Sequence, residues 1–201
     1  MSRQDYSQEL DSAIAKVGTQ FPGENVSNML KFVASAESDY GRYNPETAYS
    51  YSPFQIDPIR YYDITQNPER VNTARIGKAN EFLRKELNDP DFDISGLAQY
   101  NPETNDYIPE SRNLEYLRNP LVGATITRLG LMQDPNPIPG DKESMSSYYL
   151  KDFWKPAVQT EEKRLDAIRK FDMYHPNAFE QNTVDNVMMD NNRVENAFTG
   201  N

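Results

Sequence analysis

Apolar residues recur with helical spacing along most of this chain. Leu10, Ile14, Val17 and Phe21 share one face, which predicts an amphipathic helix over 5–21 ended by Pro22-Gly23. Val26, Met29, Leu30, Phe32, Val33 and Ala36 form a wider apolar face, so a buried helix is predicted over about 24–37, stopping near Ser38-Asp39-Tyr40-Gly41. Further helices are predicted over 69–88, 120–133, 143–155 and 160–174, the last with Leu165, Ile168 and Phe171 on its face. Residues 41–68 carry little helical period. They hold Tyr43, Tyr49, Tyr51, Phe54, Tyr61 and Tyr62 among Pro45, Pro53, Pro58 and Pro68, an aromatic loop region of the kind that often carries function. Residues 89–112 read as irregular, and Asn-Pro-Glu-Thr occurs at 44–47 and 101–104 as turn chemistry. The fold class expected is mainly α, with at most a short β element near 48–57.

Composition narrows the function. A chain of 201 residues suits one domain with appendages. Net charge −10, with no strongly basic run, argues against nucleic acid as a partner. No cysteine is present, so thiol catalysis and Cys-ligated metal sites are excluded. The single histidine, His175, stands at the end of the last predicted helix, where a cation is favoured, and is assigned no catalysis. No metal and no cofactor is expected. No apolar stretch of about 18 residues occurs, so no membrane span is expected. Met1-Ser2-Arg3-Gln4-Asp5 leads into no apolar segment, so no signal peptide is expected. Trp154 reads as a packing anchor, and Glu161-Glu162-Lys163-Arg164 as a solvated helix face. The tail, 176–201, differs in character: it has seven asparagines and no clean period, with Phe179, Val184, Val187, Met188, Met189, Val194 and Phe198 scattered along it. Such a segment suits an extended peptide docked on a partner.

The chemistry points to Glu37. It follows a nearly all-apolar segment and sits at the predicted helix C-terminus, facing the negative end of the macrodipole. Apolar neighbours and that dipole both raise a carboxyl pKa, as a general acid working near neutral pH requires. A solvated helix-end carboxylate has the same local sequence. Gln55 by itself reads as a polar loop residue, and the tyrosines as core.

Glu37-Ser38-x-x-Gly41, followed by Tyr51-Ser52-Pro53-Phe54-Gln55-Ile56-Asp57-Pro58, resembles the lysozyme-like superfamily, and within it the lytic transglycosylases and phage muralytic enzymes. In that pattern a helix ends in a catalytic Glu-Ser, a glycine follows, and a loop delivers a Pro-Phe-Gln-Ile strand. Asn119-Pro120-Leu121-Val122-Gly123-Ala124-Thr125-Ile126-Thr127 resembles the helix packed behind the catalytic one. Leu97-Ala98-Gln99-Tyr100-Asn101 resembles the Ala-x-Tyr-Asn substrate motif, although here it precedes that helix. Ser52 stands where the pattern carries a glycine, and Ala48 and Tyr49 replace small residues. The resemblance covers about 25–155.

It implies a lysozyme-like domain over 22–156, flanked by an N-terminal helix (1–21), a C-terminal helix (157–175) and the docking tail (176–201). It implies Glu37 as the single acid/base acting on peptidoglycan between N-acetylmuramic acid and N-acetylglucosamine. Ser38, Gln55, Tyr49, Tyr51, Tyr100 and Asn101 would meet the glycan strand. Asp57 is the candidate second carboxylate, which hydrolysis rather than transglycosylation would use; Asp-Pro is also a common turn opening. A chain of charge −10 gains no steering toward an anionic wall. The expectation is therefore a protein carried in a phage virion, in the tail or internally, with 176–201 contacting other virion proteins. A structural virion protein on the same fold, with weak or lost activity, is the alternative; an endolysin would more often be basic.

Overall fold

The computed structural model describes residues 3–41, 52–101, 103, 106–109, 113–150 and 160–179. Among these residues the architecture is mainly α, with eight helices and one strand pair.

Helix α1 (Arg3–Gln20) buries Leu10, Ala13, Ile14 and Val17 on the face its period predicts, and Phe21 closes that stripe. Helix α2 (Val26–Ser38) is buried over most of its length and ends at Asp39 in the left-handed conformation. Helix α3 (Pro58–Thr65) lies inside the segment expected to be loop. The signal for it is local: the Asp57 side chain accepts from the Arg60 N–H at 2.8 Å, and Pro58 occupies the first helical position, where a missing N–H costs nothing. Helix α4 (Thr73–Leu87) starts at Asn72, whose side chain accepts from the Arg75 N–H, and ends at left-handed Asn88.

Strands β1 (Ala98–Asn101) and β2 (Asp106–Pro109) pair antiparallel, with Gln99 opposite Ile108 and Asn101 opposite Asp106. This corrects the expectation of an irregular 89–112. The second Asn-Pro-Glu-Thr copy begins at Asn101, the last residue of β1. Near the expected β position, 52–55 is a turn and Ile56 a single bridge residue; 48–51 lie outside the described residues.

Helix α5 (Leu114–Arg118) leads into α6 (Pro120–Leu131), which is buried at every position except Gly130. That explains its continuous apolar run. A helix apolar all round must be surrounded, and α1, α2, α3, α4 and α5 all pack against α6. Arg128 extends from it to the carbonyls of Phe21 (3.0 Å) and Pro22 (3.2 Å), which satisfies a charge that is only 7% exposed. Helix α7 (Lys142–Tyr148) starts where the helix predicted over 143–155 does; 151–159 lie outside the described residues, so Trp154 is not placed. Helix α8 (Glu161–Tyr174) packs on α2 and α7 and sets Phe171 fully into the core. Leu10, Val17, Phe32, Val122 and Phe171 belong to one continuous core, so α1 and α8 share the interior of the central helices. Beyond α8, residues 176–179 form a turn whose Phe179 ring lies 5.6 Å from Phe171; 180–201 lie outside the described residues.

Candidate active site

The C-terminal end of α2 is built to stop sharply. The N–H groups of Asp39 and Tyr40 return to the carbonyls of Ser35 and Ala34, both at 3.1 Å. Asp39, Tyr40 and Gly41 have φ of 49°, 56° and 78°. Gly41 is required twice over: its φ is left-handed, and a Cβ would sit 2.4 Å from the Tyr6 ring. Ser38 is 1% exposed, donates to the Ala34 carbonyl at 3.0 Å and accepts from the Gly41 N–H at 2.8 Å. Its hydroxyl is thus committed to the turn that follows Glu37, which gives Ser38 a turn-holding part where a glycan contact was expected.

Glu37 is one residue earlier and partly buried. Burial pushes its carboxyl up to about 7, against the pull of a hydrogen bond from Tyr149 and the charges of Arg60 and Lys170; Asp57 adds to the rise. The Tyr149 hydroxyl donates to Oε1 of Glu37. Tyr149 directly follows α7, is 6% exposed, and rests edge-on against Phe32 at 5.7 Å. Phe32 in turn lies 5.3 Å from Phe171 of α8. The donor is therefore held by packing as well as by its bond.

Arg60 and Asp57 come from the first turn of α3 and its cap. Burial pulls the Arg60 guanidinium below its ordinary value, and the charges of Asp57 and Glu37 oppose this. Asp57 commits Oδ1 to the helix start. The sequence reading missed Tyr149, Arg60 and Lys170. Asp57-Pro58 is a helix-start signal that would have placed Arg60 one turn in; nothing near Tyr149 or Lys170 in the chain points to Glu37.

The 52–55 turn is pressed onto α6. Ser52 has φ of 70° and Gln55 φ of 45°. Ser52 occupies the position where the resembled pattern carries glycine, and it adopts the backbone conformation glycine favours. A Cβ on Gly123 would lie 2.7 Å from the Ser52 Cβ and 3.0 Å from the Phe54 ring, so Gly123 allows the close approach. Gln55 is 8% exposed and donates from Nε2 to the Ser52 carbonyl at 3.0 Å, which closes the turn on itself.

Tyr49 and Tyr51 lie outside the described residues. Tyr100 and Asn101 have backbones in β1, opposite Tyr107 and Asp106. The structure thus brings Glu37, Tyr149, Arg60 and Asp57 into one electrostatic cluster.

His175 corrects the reading of a helix-end cation. It is wedged edge-on against Tyr40 at 4.4 Å, its Nε2 is buried with no hydrogen-bond partner, and burial pulls its pKa down to about 4. It is neutral because an imidazolium there would lose its water, with Lys31 adding repulsion.

Among the described residues no cluster of three or more His, Cys, Asp or Glu side chains could hold a metal ion, and no helix is long and apolar enough to cross a membrane. Comparison with protein-family models, with curated proteins and with solved structures finds no match to this chain.

Proposed function

We propose that this chain is a peptidoglycan lytic transglycosylase with Glu37 as its single acid/base, carried in a phage virion and used to open the cell wall locally during infection. The observation that carries the reading is the state of Glu37: a desolvated carboxyl at a helix end, raised to about 7 and held through Oε1 by Tyr149. At that pKa a useful fraction is protonated near neutral pH, and the conjugate base is strong enough to take a proton back.

Protonated Glu37 donates to the glycosidic oxygen between N-acetylmuramic acid and N-acetylglucosamine. The C–O bond breaks as an oxocarbenium-like centre develops at the muramic C1, assisted by the substrate's N-acetyl group. Glu37, now ionised, removes the proton of the muramic 6-hydroxyl. That oxygen closes on C1 and leaves a 1,6-anhydro end. Tyr149 and Arg60 stabilise the carboxylate between the two transfers. A hydrolase would call for a second carboxylate to guide water. Asp57 is the candidate, but its Oδ1 is engaged in capping α3, which favours the intramolecular route.

The reading of a structural virion protein with weak or lost activity has its own observation: Ser38 and Gln55 both spend polar groups on their own backbone turns. Digestion of purified peptidoglycan by wild type and Glu37→Gln separates the two, with products identified by mass spectrometry. Anhydro-muropeptides from wild type alone support the transglycosylase. Reducing ends mean a hydrolase. No products from a folded wild type mean the structural protein. Location in the particle is tested separately, by binding of the purified chain to virion components with and without 176–201.

A further inference from the structure

We propose that Lys170 is a positioning residue for Glu37, through which helix α8 completes the site. This rests on Glu37 being the reacting carboxylate. Lys170 lies on α8, outside the 22–156 segment that the family resemblance would make the catalytic body, and nothing in that resemblance calls for it.

The geometry is specific. The Lys170 ammonium reaches the Ala36 carbonyl at 3.4 Å and the Asp39 carboxylate at 3.2 Å. It thus engages the residue before Glu37 and the residue two after it. It also pairs with Asp166 one turn earlier on its own helix, at 3.4 Å, which fixes its approach. A cation at this place answers the negative end of α2 and binds a carbonyl the helix leaves unpaired. Its side chain is only 28% exposed, so the field it casts is less screened than that of a surface lysine. The hold is also braced from behind, since Phe171, the next residue, is fully buried against Phe32.

Glu37 is acted on by Lys170 from α8, by Arg60 and Asp57 from α3 and its cap, and by Tyr149 after α7; Asp39, at its own helix end, pairs with Lys170. Lys170 holds the backbone beside Glu37 and also acts on its charge. Two functions follow. Lys170 fixes where α2 ends, and hence where the carboxyl points; its charge also favours the ionised form of that carboxyl, against the effect of burial.

The test is the titration of Glu37, read by NMR of carbon-13-labelled glutamate, beside the pH profile of glycan cleavage. In Lys170→Met the Glu37 midpoint is expected to rise by about half a unit to one unit, and the alkaline limb of kcat to move up with it. Lys170→Arg is expected to restore both. Lys170→Gln keeps a donor for the Ala36 carbonyl without the charge, so it serves if the methionine variant fails to fold, and it too should raise the midpoint. A folded Lys170→Met or Lys170→Gln protein whose Glu37 midpoint and pH profile match wild type overturns the proposal. A midpoint that moves in a protein with no cleavage activity upholds the coupling of Lys170 to Glu37 and removes the glycan reading instead.

Discussion

The hydroxyl of Tyr149 donates to Oε1 of Glu37 across 112 residues of chain. Because that oxygen is occupied as an acceptor, the proton of a neutral Glu37 belongs on Oε2, which in the proposed reaction is the oxygen that would meet the substrate. Tyr149→Phe removes the donor while keeping the ring against Phe32. The hydrogen bond lowers the Glu37 pKa, so its loss should move the alkaline limb of the rate to higher pH and cut kcat by about tenfold, as loss of a charge-assisted bond of ~1.5 kcal/mol would. Initial rates of muropeptide release across pH measure both.

Glu37→Gln should abolish turnover, since general acid–base catalysis supplies roughly 10²–10⁴-fold. It should also stabilise the fold above neutrality. The carboxyl's pKa is raised from 4.5 to about 7 in the native state. The stability it contributes is full below about 4.5 and lost as pH rises through 7. At pH 8 the native protein carries the whole cost of a buried charge, up to about 3 kcal/mol. Thermal unfolding at pH 8 should therefore show a higher Tm for Glu37→Gln, and the gain should vanish by pH 4.

His175 acts in the opposite sense over an overlapping range. Its native pKa is depressed from 6.5 to about 4. Its contribution is full above about 6.5 and falls away as pH drops toward 4. In wild type the two slopes oppose each other, so Tm should vary little with pH between 4.5 and 6.5 from these groups. His175→Phe should remove the acid-side loss and leave Tm falling as pH rises; Glu37→Gln should leave Tm falling as pH drops. Parallel curves for the two variants would falsify this assignment.

Two glycines should respond with opposite signs. A Cβ on Gly77, in the interior of α4, meets nothing within 4 Å, so Gly77→Ala should stabilise by about 0.5–1 kcal/mol through helix propensity. Gly123→Ala should destabilise by about 1–3 kcal/mol, because the new methyl meets Ser52 and Phe54 in a packed interior. Its effect on cleavage should exceed its effect on Tm, since the displaced turn carries Gln55. Denaturant midpoints and specific activity compare the two.

Most of the helices were legible because burial of one face writes a period into the chain. Leu10, Ile14 and Val17 are buried as their spacing predicts, and α6 reads as apolar all round because it is surrounded. The expected loop at 41–68 failed at α3, where capping by Asp57 and Pro58 outweighs a weak apolar period. The hairpin at 98–109 was missed because two four-residue strands offer too short an alternation to read.

The sequence by itself determined that the fold is mainly helical, that α2 ends just after Glu37, and that this carboxyl follows an apolar run. Local spacing suffices for these, because each depends on neighbours within a turn or two. What surrounds Glu37 was decided by tertiary structure alone. Tyr149 arrives from the end of α7, Arg60 from α3 and Lys170 from α8. Their convergence depends on how α7 and α8 pack against α2 and α3 against α6, and packing joins faces whose residues carry no mark of their partners along the chain.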